Sequence, residues 1–94
     1  MMKFDEIKSE KIKFGKLEIG GVYLFKWNSQ SCTSPYTIVE CIKKDKFSEE
    51  ALFKVLHDFD ESNLHFNRGK IFRNKKSTKI VKRLKEEEYI FYLL

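Results

Sequence analysis

The chain has 94 residues, of which 41% are hydrophobic, 15% aromatic and 35% charged, and it carries a net charge of +5 with a pI near 9.2. That is one domain with a modest core, and its aromatic content excludes a disordered chain. Two cysteines are too few for the staple framework of a small secreted domain, and no window approaches the ~18 apolar residues of a membrane span.

Residues 1–16 are polar with apolar punctuation at Phe4, Ile7, Ile12 and Phe14, a pattern expected of a loosely held arm with a strand-like end. The start alternates charge and apolarity without an apolar signal-like core, so the expected location is the cytoplasm, with reduced thiols. Next comes "LEIGGVYLFKW". Gly20–Gly21 marks a turn, and residues 22–27 are dense in β-branched and aromatic side chains. Val22 and Leu24 alternate to one side of this strand; Tyr23, Phe25 and Trp27 alternate to the other. "NSQSCTSP" reads as a loop, "YTIVECIKK" as a second strand, "DKFSEE" as a connection and "ALFKVLHD" as a third strand.

Beyond it, "FDESN" is an acidic turn. Residues 64–72 hold one or two short strands folded about Asn67–Gly69, residues 73–77 form a basic turn, and residues 78–84 make a last strand. In the tail "KEEEYIFYLL", Glu86–Glu88 complement the dipole of a helical first turn, while Tyr89–Leu94 has β propensity; a short helix is the expectation.

About five short strands at this spacing predict a mainly β fold, a small antiparallel β-barrel with a short C-terminal helix. The stretch "LEIGGVYLF" resembles the approach to the first strand of an SH3-like barrel, in which a turn glycine precedes an aromatic-rich strand. The resemblance covers about ten residues and implies architecture alone. The expected organisation is a single domain over 1–94: arm 1–16, barrel 17–84, helix 85–94.

The residues that could carry chemistry are few. Cys32, Cys41, His57 and His65 are zinc-ligand types, but they lack the close pairing that lets one turn present two ligands. Asp58, Asp60 and Glu61 do not follow the calcium-loop pattern. Neither a nucleophile–base pair at short range nor a phosphate-cradling glycine loop is present in the sequence. No enzymatic activity, metal or cofactor is expected.

The distinctive feature is the run from Arg68 to Lys85, which holds nine cations and no carboxylate before Glu86–Glu88. On a strand, Ile80 and Leu84 face inward and send Lys79 and Arg83 outward. Arg73, Lys75 and Lys76 extend the patch, with Arg68 and Lys70 at its rim. Trp27 or Tyr36 is a candidate stacking ring, although Trp27 is an equally good core residue. Such a face suits nucleic acid, DNA or RNA, or an acidic protein surface. Lysine outnumbers arginine, which suits phosphate contact better than base readout. Solvated charge on a small domain accounts for the same run. The alternative is a phage-type inhibitor or adaptor docking on another protein, since the Lys, Ile, Phe and Asn bias is that of an AT-rich genome.

Overall fold

The computed structural model describes residues 8–27, 36–59, 68–75 and 79–93. Among them, five strands precede one helix: β1 (Val22–Lys26), β2 (Tyr36–Asp45), β3 (Glu50–Asp58), β4 (Ile71–Lys75), β5 (Ile80–Leu84) and α1 (Glu86–Leu93). All pairings are antiparallel, in one sheet of order β4-β3-β2-β1-β5. The chain is therefore mainly β with a short C-terminal helix, as expected. The sheet is not closed: β4 and β5 are its two edges. Cys32, Asp60, Glu61, His65 and Lys76, all named above, lie outside the described residues.

Both faces of β1 are buried, and this organises everything else. Tyr23 and Phe25 join Leu17, Val39, Cys41, Ala51, Phe53, Val55 and Ile80 in an inner cluster, with Ile12, Phe14, Trp27 and Phe72 packed against it. Val22 and Leu24 join Ile38, Val81 and Leu84 in an outer cluster, covered by Tyr89 and Tyr92 of α1. The alternation along β1 thus holds as read.

The sheet is strongly curled. The Phe72 ring on β4 lies 5.3 Å from Trp27 and 5.4 Å from Phe25, centroid to centroid, although β2 and β3 separate β4 from β1. Three strand spacings on a flat sheet would be about 14 Å. Only curvature around the aromatic cluster brings these rings together.

Gly20 and Gly21 make the turn into β1. Gly20 has φ +88, a region glycine enters without a Cβ penalty. At Gly21, a Cβ would come within 2.8 Å of the Tyr23 hydroxyl and 3.0 Å of the Glu18 carbonyl. That room lets the Tyr23 hydroxyl accept a hydrogen bond from the Glu18 N–H at 2.9 Å.

The segment before β1 is tied to the sheet. The Glu10 N–H donates to the Val81 carbonyl at 2.7 Å, and the Arg83 N–H donates to the Glu10 carboxylate at 3.0 Å. Its last part is a 3-10 turn, Phe14–Lys16, where alternation of Ile12 and Phe14 had suggested a strand. Both side chains pack on the inner cluster, which such a turn permits as well as a strand does.

Two further expectations are corrected by the sheet. The basic turn 73–77 begins later than read, because Arg73, Asn74 and Lys75 continue β4 opposite Leu52, Ala51 and Glu50. The Phe72 ring fixes the strand against the core, and the ladder then satisfies backbone groups that a turn would leave to water. In β5, simple alternation fails. A register shift opposite Leu24/Phe25 puts Ile80 in the inner cluster and Val81 with Leu84 in the outer one. A bulge of this kind inserts one residue and reverses the facing of those beyond it.

α1 has eight residues, too short to persist alone. At its start the Glu88 carboxylate accepts from the Lys85 N–H at 2.9 Å, a side-chain cap, and the Glu88 N–H closes the first turn on the Lys85 carbonyl at 2.8 Å. Its end is held by Arg68, whose guanidinium donates to the Tyr92 carbonyl at 2.9 Å and, through Nε, to the Leu56 carbonyl at 2.8 Å. No helix among the described residues is long and apolar enough to cross a membrane.

Candidate nucleic-acid interface

The cations of the basic run are distributed over the two edges and both faces of the sheet. Arg73 and Lys75 belong to β4, and Arg83 to β5 at the opposite edge. They also face opposite ways. Arg73 is paired with Leu52 on the outer face, whereas the Arg83 guanidinium lies over the inner-face Tyr23 ring at 6.0 Å. The run that is continuous in sequence is split in space.

Several of these cations have partners from elsewhere in the chain. Arg83 makes an ion pair with Glu18, which holds its guanidinium still more firmly in the charged form. Arg73 Nε lies 3.5 Å from Glu50, and Lys82 donates to Glu88 at 2.8 Å. The contact with Lys82, reinforced by the Lys85 N–H, lowers the pKa of Glu88. Arg68 is engaged with two carbonyls, as described above. Lys79 is half-buried, and its carbonyl accepts from the Lys26 N–H at 2.9 Å. Lys70 and Lys75 are exposed.

The two candidate rings are likewise committed to packing. Trp27 stacks obliquely on Phe25 and Phe72, and its indole N–H donates to the Thr37 hydroxyl at 2.9 Å, satisfying a fully buried polar side chain. Tyr36 packs on the outer cluster with Lys26 Nζ 5.8 Å from its ring centre.

What the fold does assemble is a patch on the outer face of β2, β3 and β4. Reading across the strands, one row is Asp45, Glu50 and Lys75; the next is Lys43, Leu52 and Arg73; the third is Glu40, Lys54 and Ile71. Along β4 itself, Arg73 and Lys75 stand about 6.7 Å apart on the same side. The Arg73 side chain is 68% exposed, so its pairing with Glu50 is well hydrated and leaves it available to an incoming anion. Lys43 and Lys54 are exposed beside them.

The sequence reading missed Lys43 and Lys54, because nothing in the sequence reveals that β2 and β3 carry them alongside β4. It also missed Phe47, in the connection "DKFSEE", which is fully exposed at 103%. A lone aromatic among turn-forming polar residues was the available signal.

Of the zinc-ligand types, Cys41 and His57 are described, and they lie on opposite faces. Cys41 is buried in the inner cluster, where burial raises its thiol pKa against the weaker opposing effect of the Lys43 carbonyl contact. The His57 ring packs at 4.6 Å from Phe59 and 5.4 Å from Tyr92. Burial, then the nearby Arg68 charge, lower its pKa below 6.5, with Asp58 opposing. No metal-ligating cluster occurs among the described residues.

Comparison of the chain with protein-family models, curated proteins and solved structures returns no significant match.

Proposed function

We propose that the chain is a small, non-catalytic binding module of the cytoplasm, built as an SH3-like barrel, that contacts nucleic acid or a nucleic-acid-bound machine through its basic face. The strand order and the curl around Phe25, Trp27 and Phe72 support the barrel reading. The observation that carries the functional reading is the cationic strip on β4: Arg73 and Lys75 project side by side from an edge strand, with Lys43 and Lys54 on adjacent strands of the same face. Lysine at such positions serves phosphates as a mobile point charge.

The test is fluorescence anisotropy with labelled DNA and RNA, comparing the native chain with a Lys43→Glu/Lys54→Glu/Arg73→Glu/Lys75→Glu variant. Four phosphate contacts give a slope of log K against log[salt] of about −3 for single strands and about −4 for duplex. The expected result is that steep slope in the native chain and its loss in the variant. Absence of binding at about 50 mM salt, where this electrostatic contribution is large, overturns the reading.

One observation favours a second reading, a phage-type inhibitor or adaptor that docks on another protein. Ile90 and Phe91 are 41% and 78% exposed side by side on α1. Exposed apolar side chains of this size serve as anchors at protein interfaces, and binding through them depends weakly on salt.

A further inference from the structure

The β2–β3 hairpin ends in a tip that holds an aromatic ring out in solvent. Asp45 and Glu50 form the closing pair of the ladder, leaving Lys46, Phe47, Ser48 and Glu49 between them. The tip is ordered by its own contacts. The Phe47 N–H donates to the Asp45 carboxylate at 3.0 Å, and Glu49 takes the left-handed conformation, φ 54, that returns the chain into β3. Phe47 is therefore fully exposed yet carried on a defined turn, so little backbone freedom is lost when something covers the ring.

Its position relative to the charges is informative. Glu50, which closes the tip, pairs with Lys75 on β4, so the turn that carries Phe47 begins one residue beyond the row that ends the Lys75–Arg73 strip. Lys46 adjoins Phe47 in sequence, and Lys43 lies one row back on the same hairpin. Its neighbours along the turn are Asp45, Lys46, Ser48 and Glu49, none of them apolar. A protein anchor normally sits inside a desolvated apolar ring from which lysine, glutamate and serine are depleted. A nucleobase needs only an open ring face for stacking and cations nearby for its phosphates.

Resting on the reading that the β4 strip binds a polyanion, we propose that its ligand is single-stranded nucleic acid and that Phe47 stacks an unpaired base. The phosphates on one side of that base then run along Lys75 and Arg73. A duplex cannot offer the same contact, because its bases are already stacked on each other and present only their edges.

The experiment measures anisotropy of labelled single-stranded oligothymidylate, about fifteen nucleotides long, and of a duplex of equal length at about 50 mM salt. Native protein is compared with Phe47→Ala and Phe47→Trp, each checked for an unchanged circular dichroism spectrum, since the exposed ring contributes little to the fold. The expected result is tighter binding of the single strand than of the duplex. Phe47→Ala should weaken single-strand binding about 5- to 150-fold, the range of base–aromatic stacking, and leave duplex binding within about twofold. Phe47→Trp should restore the affinity. Equal binding of both forms with no effect of Phe47→Ala overturns the inference while leaving the polyanion reading intact. No binding of either form overturns both.

Discussion

The curl of the sheet depends on Phe72, and its replacement by alanine is the most demanding test of the architecture. The ring contacts Phe25, Trp27 and Phe53 at centroid distances of 5.4, 5.3 and 5.8 Å. Truncating a fully buried Phe to Ala costs about 3–5 kcal/mol; Phe72 is half-buried, which reduces the expected loss to about 2–3 kcal/mol. The ring contacts are not added to this figure, since the truncation cost already contains them. For a 94-residue chain with a typical stability of about 5–14 kcal/mol, that is a large fraction. At about 4–8 °C per kcal/mol, the midpoint of thermal unfolding should fall by about 10–20 °C. Ile71→Ala is the internal control. Its side chain is 53% exposed on the opposite face of β4, and its truncation should change stability by no more than about 0.5 kcal/mol. Urea unfolding of both variants reads the difference as a shift in midpoint at constant slope. A loss below about 1 kcal/mol for Phe72→Ala, or an equal loss for Ile71→Ala, would refute the facing of β4, because a slip of one residue exchanges the two side chains.

Two further predictions concern the end of α1. Arg68→Ala removes both carbonyl contacts that fasten the helix, and should destabilise the chain by about 1 kcal/mol and speed amide exchange within residues 86–93. If Arg68 instead serves phosphates, the substitution will weaken nucleic-acid binding and leave exchange unchanged. His57 titrates below its ordinary 6.5 when folded, so the unfolded chain binds that proton more readily. Stability is then complete above pH 6.5 and declines as the pH falls through the interval between 6.5 and the lower folded value. Urea midpoints on either side of that interval should drop further for the native chain than for His57→Gln; identical drops would show that His57 is not responsible.

Those parts of the fold written as local patterns were legible in the sequence. β1, β2 and β3 announce themselves through β-branched and aromatic density, and the glycine pair before β1 locates the turn. Helix α1 was legible because acidic residues at its start agree with the peptide dipole. β4 was misplaced because "RNKK" has the composition of a turn, and what makes it a strand is a ring on Phe72 reaching two strands beyond its neighbour. The facing in β5 was misread for a related reason. Its bulge answers to the geometry of β1, which needs apolar cover on both sides, and no spacing rule within residues 80–84 contains that demand.

The candidate site follows the same division. Net charge is a property of composition, but a charge is available to a ligand only if the fold leaves it so. Register brings Glu50 to Arg73, the turn before β1 brings Glu18 to Arg83, and the first turn of α1 brings Glu88 to Lys82. Each carboxylate comes from outside the run that reads as uninterrupted cation. Aromatics are sorted by the same competition. A chain this short has to cover two faces of one sheet, and the inner face takes Tyr23, Phe25, Trp27, Phe53 and Phe72, while the outer face takes Tyr36, Phe59, Tyr89 and Tyr92. The rings with the strongest sequence claim to stacking are therefore consumed by folding. Phe47 escapes because it lies in a four-residue turn beyond the last ladder pair, out of reach of either cluster. Because that ring contributes to neither cluster, Phe47→Ala separates the proposed base stacking from any effect on stability.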